Sequence, residues 1–426
     1  MLDQLISVIA ILFLLATTAY VAVLLVGHAR GAAAMERTAA AEVALLRANV
    51  DLVMERRRLE ARRTEGSWNG FRKLQIARKQ QEGGGICSFY LQPHDRKPLP
   101  PFRPGQYLTF QLHVPGQPKP VIRCYSLSDS PNNPDYYRVS IKKLTPPRDK
   151  PDAPPGLSSS FFHDRLDEGD IVDVKAPGGH FFLDTTKSRP VVLIGGGIGL
   201  TPVLSMLNAI CESGAKRETW LFYGCRNGAD HIMRDHFDRI RKEHDNVRLH
   251  ICYSDPRPDK DVAGRDYDHG GRVTVDLCKS LLPSSNYEYY LCGPPPFMES
   301  LVGGLEAWGV PEADIRFEAF GPATVKRTPT VQHATAEAAA MSGLEVTFAK
   351  SGKSLAWSAA SASLLDFAEE HGVAIDFGCR AGNCGTCLTA IKAGEVSYVN
   401  PPGASPEAGS CLTCISVPKT NLTLDA

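Results

Sequence analysis

A chain of 426 residues is too long for one hydrophobic core, so roughly two to four domains are expected. Its 47 Lys and Arg balance its 47 Asp and Glu, which removes the global attraction that nucleic-acid binding draws on; no nucleic-acid partner is expected. Twelve cysteines spread over this length do not form the framework of a small disulfide domain, and their grouping near the C-terminus is the pattern of metal ligation.

The first element, Leu5 to Val26, is 22 residues without a charge, rich in Leu, Ile, Val and Ala. A helix of that length rises about 33 Å, enough for a bilayer core. A cleaved secretory signal competes with this reading. Met1 to Gln4 hold an acid and no Lys or Arg, however, and the apolar run exceeds a usual signal core, which favours a retained transmembrane anchor over 1–28. Arg30 and Arg37 follow the span and only Asp3 precedes it, so the positive-inside bias places the downstream chain in the cytoplasm, on a single pass through the inner membrane. A compartment of reduced thiols suits the free cysteines.

Residues 29–66 read as a charged helical spacer, Ala, Glu, Arg and Leu rich, with neither Pro nor Gly from Met35 to Glu65. Leu45, Leu52 and Leu59 recur every seven residues, too few to define a coiled coil. A solvated spacer and a helix that pairs two copies of the chain both fit. From 67 to 186 the runs QYLTFQLHV, YYRVSIKKL and DIVDVKA, separated by Pro and Gly, predict a small antiparallel β-barrel. From 187 to 321 the segment PVVLIGGGIGLTPVLSMLNAI runs from an apolar strand through a glycine turn into a helix. TWLFYGC, VRLHICYS and YEYYLCG continue the alternation, which predicts an α/β domain with a parallel sheet. Residues 322–342 read as a linker, and 343–426 as a last compact unit that holds the cysteine group.

In that unit Cys379, Cys384 and Cys387 are separated by four and two residues, and 26 more precede Cys414. The loop FGCRAGNCGTC is built of small residues, which lets the backbone wrap inorganic sulfide and aim N–H groups at sulfur. Structural zinc prefers paired Cys-x2-Cys knuckles, a weaker fit that would draw in Cys411 with Cys414. The four cysteines are therefore expected to ligate a [2Fe-2S] cluster, with Cys411 packed as a small apolar residue. The pattern from LEVTF to CLTC resembles the plant-type ferredoxins, which implies an α+β domain of the β-grasp type.

RCYSLSDSP at 123–131 closes a barrel strand with a cation, an aromatic and a hydroxyl. Arg123 can neutralise a pyrophosphate, Tyr125 can lie along an isoalloxazine, and Ser126 can meet the flavin N5. Alone this is also an ordinary strand end. PGLSSSFFHDRL at 155–166 puts Gly and three Ser at a helix start, where free N–H groups favour phosphate; a plain Ser N-cap is the alternative. GGGIGLTP at 195–202 is not the G-x-G-x-x-G fingerprint, and a lone glycine turn after a strand says little.

Taken with YGCR, LCGPPPFM and EAFGP, these segments resemble the ferredoxin-NADP reductase superfamily from about Phe71 to Pro322, and most of all the reductase half of flavohaemoglobins. The resemblance implies flavin contacts from Tyr107, Arg123, Tyr125 and Ser126, with Gly156, Ser158 and Ser159 at the pyrophosphate. It implies nicotinamide dinucleotide contacts from Gly196, Gly197, Thr201 and Pro202, and a nicotinamide pocket lined by Cys292, Gly293 and Pro294. Glu318 and Phe320 correspond to the acid and the covering aromatic beside the flavin. Ser126, Cys292 and Glu318 are the expected catalytic residues. Outside this pattern, Cys292 and Phe320 read as ordinary core residues. After YGCR, with Arg226, Asp230 is expected near the adenosine ribose, where an acid repels a 2′-phosphate and favours NADH over NADPH.

Phthalate dioxygenase reductases share this module order but use FMN; the LSDSP and EAFGP segments and the serine-rich helix start favour FAD. The expected route is NADH to FAD to [2Fe-2S] to a membrane-bound oxygenase, hydroxylase or desaturase, with the bilayer confining donor and acceptor. A respiratory quinone-reductase subunit is a second reading, weakened because its ferredoxin precedes the flavin domain. A redox sensor that reports NADH without turnover is a third, and would predict damaged flavin or nucleotide motifs. No globin-like segment precedes the barrel, so flavohaemoglobin activity itself is not expected.

Overall fold

The computed structural model describes residues 66–146, 151–320 except 215, 343–399 except 359, 379, 381, 383 and 384, and 406–426, with separate stretches between 14 and 61. The chain divides into two units, Met1–Arg62 and Arg63–Ala426. In the first, the described residues are helical and expose Leu14, Leu15, Tyr20, Val21, Leu24 and Leu25. Among the described residues no helix is long and apolar enough to cross a membrane; the expected anchor lies in part outside them. Leu45 of the heptad is exposed, and Leu52 and Leu59 fall outside the described residues.

The second unit begins with strands β1 (Arg72–Gly83), β2 (Ile86–Pro93), β3 (Tyr107–Leu112), β4 (Val121–Ser126), β5 (Tyr137–Lys142) and β6 (Ile171–Val174). They form an antiparallel sheet ordered β4-β3-β6-β1-β2-β5, and a bridge between Leu127 and Val139 ties its two outer strands into a barrel. Gly84 and Gly85, at φ of 58° and 71°, make the two-residue turn between β1 and β2, a left-handed backbone that side chains resist. Leu74, Ile76, Phe89, Leu91, Leu108, Phe110, Val139 and Val174 fill the interior. Helix α1 (Leu157–Arg165) adds Phe162, edge-on to Phe89 and Phe110 at 5.2 Å each.

Strands β7 (Val191–Gly196), β8 (Thr219–Cys225), β9 (Val247–Tyr253), β10 (His269–Gly270), β11 (Glu288–Gly293) and β12 (Ile315–Ala319) form a parallel sheet ordered β10-β9-β8-β7-β11-β12. Helices α2 (Leu200–Glu212), α3 (Arg234–Glu243), α4 (Val275–Leu281) and α5 (Pro295–Ala307) complete this domain. The unbroken apolar run of β7 reflects cores on both faces. Val191 and Leu193 face one cluster with Leu204, Leu207 and Phe237; Val192 and Ile194 face another with Leu301 and Leu305. Each such buried aliphatic side chain contributes about 1.5–3 kcal/mol. Strand order reverses between β7 and β11, and a doubly wound sheet binds its ligand beyond the carboxyl ends of the strands at that switch point. At the opposite end of β11, buried Glu288 meets Arg217 at 2.6 Å, Lys187 at 3.1 Å and Arg316 at 3.3 Å. Burial depresses the Arg217 pKa and the Glu288 charge opposes that shift.

The expected linker 322–342 lies outside the described residues. Beyond it come β13 (Glu345–Phe348), β14 (Lys353–Ala356), α6 (Leu364–Glu370), β15 (Leu388–Ala393), β16 (Val396–Tyr398), β17 (Ser410–Leu412), β18 (Ser416–Pro418) and β19 (Leu422–Leu424). Five of the strands form a mixed sheet ordered β14-β13-β19-β15-β17. Ser363 caps α6 by accepting from the Asp366 N–H, and Leu364, Phe367 and Ala368 pack with Val346, Phe348, Leu422 and Leu424. A helix packed across a mixed sheet is the β-grasp arrangement.

Candidate functional site

Three groups of side chains assemble, one in each domain. In the barrel, Arg123 and Tyr125 stand two apart on β4 and so share a face. The Arg123 guanidinium donates to the Ile122 carbonyl at 2.7 Å and pairs with no acid among the described residues. Tyr125 is held edge-on by Phe162 of α1 at 5.3 Å and by Phe110 at 5.8 Å. Burial pushes its phenol well above the ordinary range, while Arg123 and the neighbouring Ser158 hydroxyl pull it down. Ser158 thus brings the start of α1 to the Arg123–Tyr125 face. No side chain caps that helix start, and the Ser160 hydroxyl is buried without a hydrogen-bond partner.

Gly156 is needed there, since a Cβ would meet Ser159 Oγ at 2.7 Å and Leu144 Cβ at 2.8 Å. Ser159 itself is occupied: it accepts from the Leu144 N–H at 3.1 Å and donates to the Gly156 carbonyl at 3.0 Å. Its hydroxyl shapes the turn. Tyr107 pairs with Ser126 across β3 and β4, and its ring lies 3.0 Å from where a Gly179 Cβ would stand. An unpaired cation, a half-buried aromatic and an uncapped helix N-terminus fit an anionic flavin dinucleotide.

In the second domain β7 ends at Gly196, and the turn Gly197–Gly199 leads into α2. Close packing sets these glycines: a Cβ on Gly199 would lie 2.3 Å from the Cys292 carbonyl oxygen, and one on Gly196 2.9 Å from Phe297 Cε1. Thr201 donates to the Ile198 carbonyl at 3.0 Å, and Pro202 follows buried inside the first turn of α2. The turn lies against β5 of the barrel, at the border of the two domains. Gly293 ends β11 beside it, Pro294 caps α5, and Phe297 covers both Gly196 and Gly293. Phe297 was visible in LCGPPPFM, but an aromatic inside an apolar helix reads as core until its glycine neighbours are known.

Cys292 is fully buried and packs in the core beneath the turn; burial first and the Glu318 carboxylate next push its thiol far up. Glu318 is its partner across β11 and β12, and the Phe320 N–H donates to the Gly293 carbonyl at 3.2 Å. These residues do gather at one place. The Cys292 thiol nonetheless belongs to the core, and its backbone is what forms the floor of the turn.

Arg226 is exposed on the loop after β8. Asp230 lies on the same loop, and its Oδ1 is 2.7 Å from where a Gly84 Cβ would stand, so the carboxylate also abuts the β1–β2 turn of the barrel.

In the third domain Cys379 and Cys384 lie outside the described residues. Cys387 and Cys414 are buried with their sulfurs 3.1 Å apart, close enough to serve one metal centre. The Gly382 N–H points at Cys414 Sγ at 3.3 Å, the N–H to sulfur contact expected around a cluster. Gly382 and Gly385 hold φ of 71° and 74°, and Arg380, beside the first cysteine, holds 51°. Arg380 is fastened by Asp366 at 3.1 Å and by Glu369, both on α6. Cys411 packs in the domain core, its thiol pushed up to about 11 by burial. Among the described residues no three potential ligands gather elsewhere.

Residues 74–183 match the oxidoreductase FAD-binding domain family, 193–302 the oxidoreductase NAD-binding domain family, and 346–419 the 2Fe-2S iron-sulfur cluster binding domain family. The chain belongs to the ferredoxin-NADP reductase superfamily, with a [2Fe-2S] ferredoxin domain joined to it. This reductase is 38% identical over 264 residues to a flavohemoprotein of Halalkalibacterium halodurans, a match covering 62% of this chain and 63% of that protein. It therefore spans less than two thirds of that relative. The FAD/NAD-binding domain of nitric oxide dioxygenase from Vibrio cholerae is 30% identical with a TM-score of 0.52, covering 60% of this chain and 100% of that one. Phthalate dioxygenase reductase, described as a modular structure for electron transfer from pyridine nucleotides to [2Fe-2S], is 27% identical with a TM-score of 0.50. That likeness covers 84% of this chain and 98% of the other.

Proposed function

We propose that this reductase carries electrons from NADH through FAD and [2Fe-2S] to a membrane-bound oxygenase, hydroxylase or desaturase. The carrying observation is the near-complete coverage of phthalate dioxygenase reductase, 98% of its length, so that flavin, nucleotide and ferredoxin modules are all matched in one chain. Bound FAD supplies the conversion between the electron pair that NADH gives up and the single electrons that [2Fe-2S] accepts. The protein does the placing. Arg123 and the start of α1 hold the pyrophosphate charge, and Tyr125 flanks the ring system. The close-packed turn after β7 receives the dinucleotide, with Thr201 and Gly293 at the nicotinamide end and Phe297 excluding water from the strand ends. In the ferredoxin domain Cys379, Cys384, Cys387 and Cys414 hold the cluster, and N–H groups such as that of Gly382 favour its negative sulfur.

We take the nucleotide to be NADH because Asp230 keeps an acid in the loop after β8; equal turnover with NADPH contradicts this. We take residues 1–28 to be an anchor that leaves the catalytic domains on the cytoplasmic side. The support is the charge-free run 5–26 with Arg30 and Arg37 behind it, and the exposed apolar side chains of its described part. A full-length chain that leaves membranes on alkaline washing without detergent contradicts the anchor. Addition of NADH to the purified holoprotein without oxygen should bleach the flavin and give the paramagnetic signal of a one-electron-reduced cluster. A flavin that stays oxidised overturns the proposed function.

A further inference from the structure

The segment after the flavin strand does not stay with the flavin. β4 ends at Ser126, and three residues later Asp129 crosses to the nucleotide domain. Its carbonyl accepts from Ser205 Oγ at 2.7 Å, and its carboxylate Oδ1 accepts from Asn208 Nδ2 at 3.1 Å. Ser130 Oγ meets Glu212 on the same helix. Thr201, Ser205, Asn208 and Glu212 follow helical spacing, so one face of α2 carries both the nucleotide turn and every one of these cross-domain contacts.

We propose that Asp129 and Asn208 form a positioning pair that fixes the nucleotide domain against the flavin barrel at the separation electron transfer from NADH requires. The inference rests on the proposed function, in which the hydrogen and electron pair leave a nicotinamide held by one domain for a flavin held by the other. Their approach is then set by how the domains sit, and misplacement by about 1 Å costs up to about 100-fold in rate. Both sides of the pair are stiff. Asp129 Oδ2 is held by Arg138 at 3.2 Å and by the Tyr136 hydroxyl at 3.1 Å, and Arg138 is itself buried. Asn208 is buried, with its Oδ1 2.7 Å from His236 Nε2 on α3, while Arg239 faces His236 Nδ1 at 3.3 Å. The donor sense runs consistently from His236 N–H to the Asn208 carbonyl, and from the Asn208 amide to the Asp129 carboxylate. Burial, with Arg138 and Arg239 nearby, holds the His236 pKa down and keeps the ring in this neutral, donating form. On each side only a few residues separate the pair from the groups it would align: Asp129 from Ser126, and Asn208, two helical turns on, from Thr201.

The test exchanges the two side chains in the full-length holoprotein. Asn208→Asp sets two carboxylates against each other across the domain border, and Asp129→Asn with Asn208→Asp restores one amide donor and one carboxylate in reversed order. Two readouts are taken: the limiting rate of flavin bleaching by NADH, and hydrogen exchange in residues 127–139 and 200–212. Asn208→Asp should lower the limiting rate at least about tenfold, keep the KM for NADH within about threefold, and speed exchange in both segments. The exchanged pair should return the rate to within about threefold of wild type, with exchange slowed again. A wild-type rate in Asn208→Asp overturns the proposal, and so does a reversed pair as slow as the single variant. If NADH fails to reduce even the wild-type flavin, the proposed function falls, and the exchange data still show whether the pair holds the domains together.

Discussion

The nucleotide turn and the cluster loop are both glycine-rich, for opposite physical reasons. Between Gly195 and Gly199 space is the limit: a Cβ would strike Leu200 Cα at 2.9 Å, Phe297 at 2.9 Å or the Cys292 carbonyl at 2.3 Å. Among the described residues between Cys379 and Cys387 the backbone turns left-handed, with positive φ at Arg380, Gly382 and Gly385. A crowded turn offers a ligand a fixed backbone surface. The left-handed one turns the Gly382 N–H to the Cys414 sulfur. Similar composition therefore marks a rigid cradle in one place and a wrapping loop in the other.

Substitutions can break this contrast, and the largest effect belongs to Gly199→Ala. The struck atom is backbone and cannot move aside, so a loss of at least about 3 kcal/mol is expected, seen as a fall in the melting temperature of the nucleotide domain. Gly382→Ala comes next: it combines φ of 71° with a clash at 2.3 Å against Ile415 Cδ1, the movable end of a side chain. A cost of about 1–3 kcal/mol is expected, with iron and sulfide content reduced and flavin content retained. Gly197 sharpens the comparison from within the crowded turn, because it holds φ of 57° with nothing within 4 Å of an added Cβ. Gly197→Ala should cost about 1 kcal/mol and Gly197→Asn less, since Asn tolerates the left-handed region. The smallest expected effect concerns Cys292, whose buried and neutral thiol should stay unmodified by alkylating reagents for as long as the domain is folded.

Much of this organisation is legible along the chain because it is written in local patterns. The continuous apolar run of β7 announced a strand covered on both faces, and cysteine spacing announced a cluster with Cys411 left over for the core. What was not legible depends on partners distant in sequence. RCYSLSDSP looks like one flavin segment, yet its second half turns to Asn208, 79 positions away. Ser159 reads as one serine among three at a helix start, and its hydroxyl closes a turn with Leu144. Asp230 reads as an acid on the loop after β8, and its carboxylate also meets the β1–β2 turn. Arg380 reads as a surface cation, but the carboxylates of Asp366 and Glu369 fasten the cluster loop to α6 through it. Hydrogen-bond partners of polar side chains are chosen by the tertiary fold, which periodicity does not report.

The proposed order of transfer is NADH to FAD to [2Fe-2S]. Its most direct test is rapid anaerobic mixing of the full-length holoprotein with NADH, following flavin and cluster colour separately, beside a preparation stripped of flavin that keeps its cluster. Flavin bleaching should run ahead of cluster bleaching in the holoprotein, with no cluster reduction by NADH in the stripped one. Cluster reduction at the same rate without flavin would contradict it.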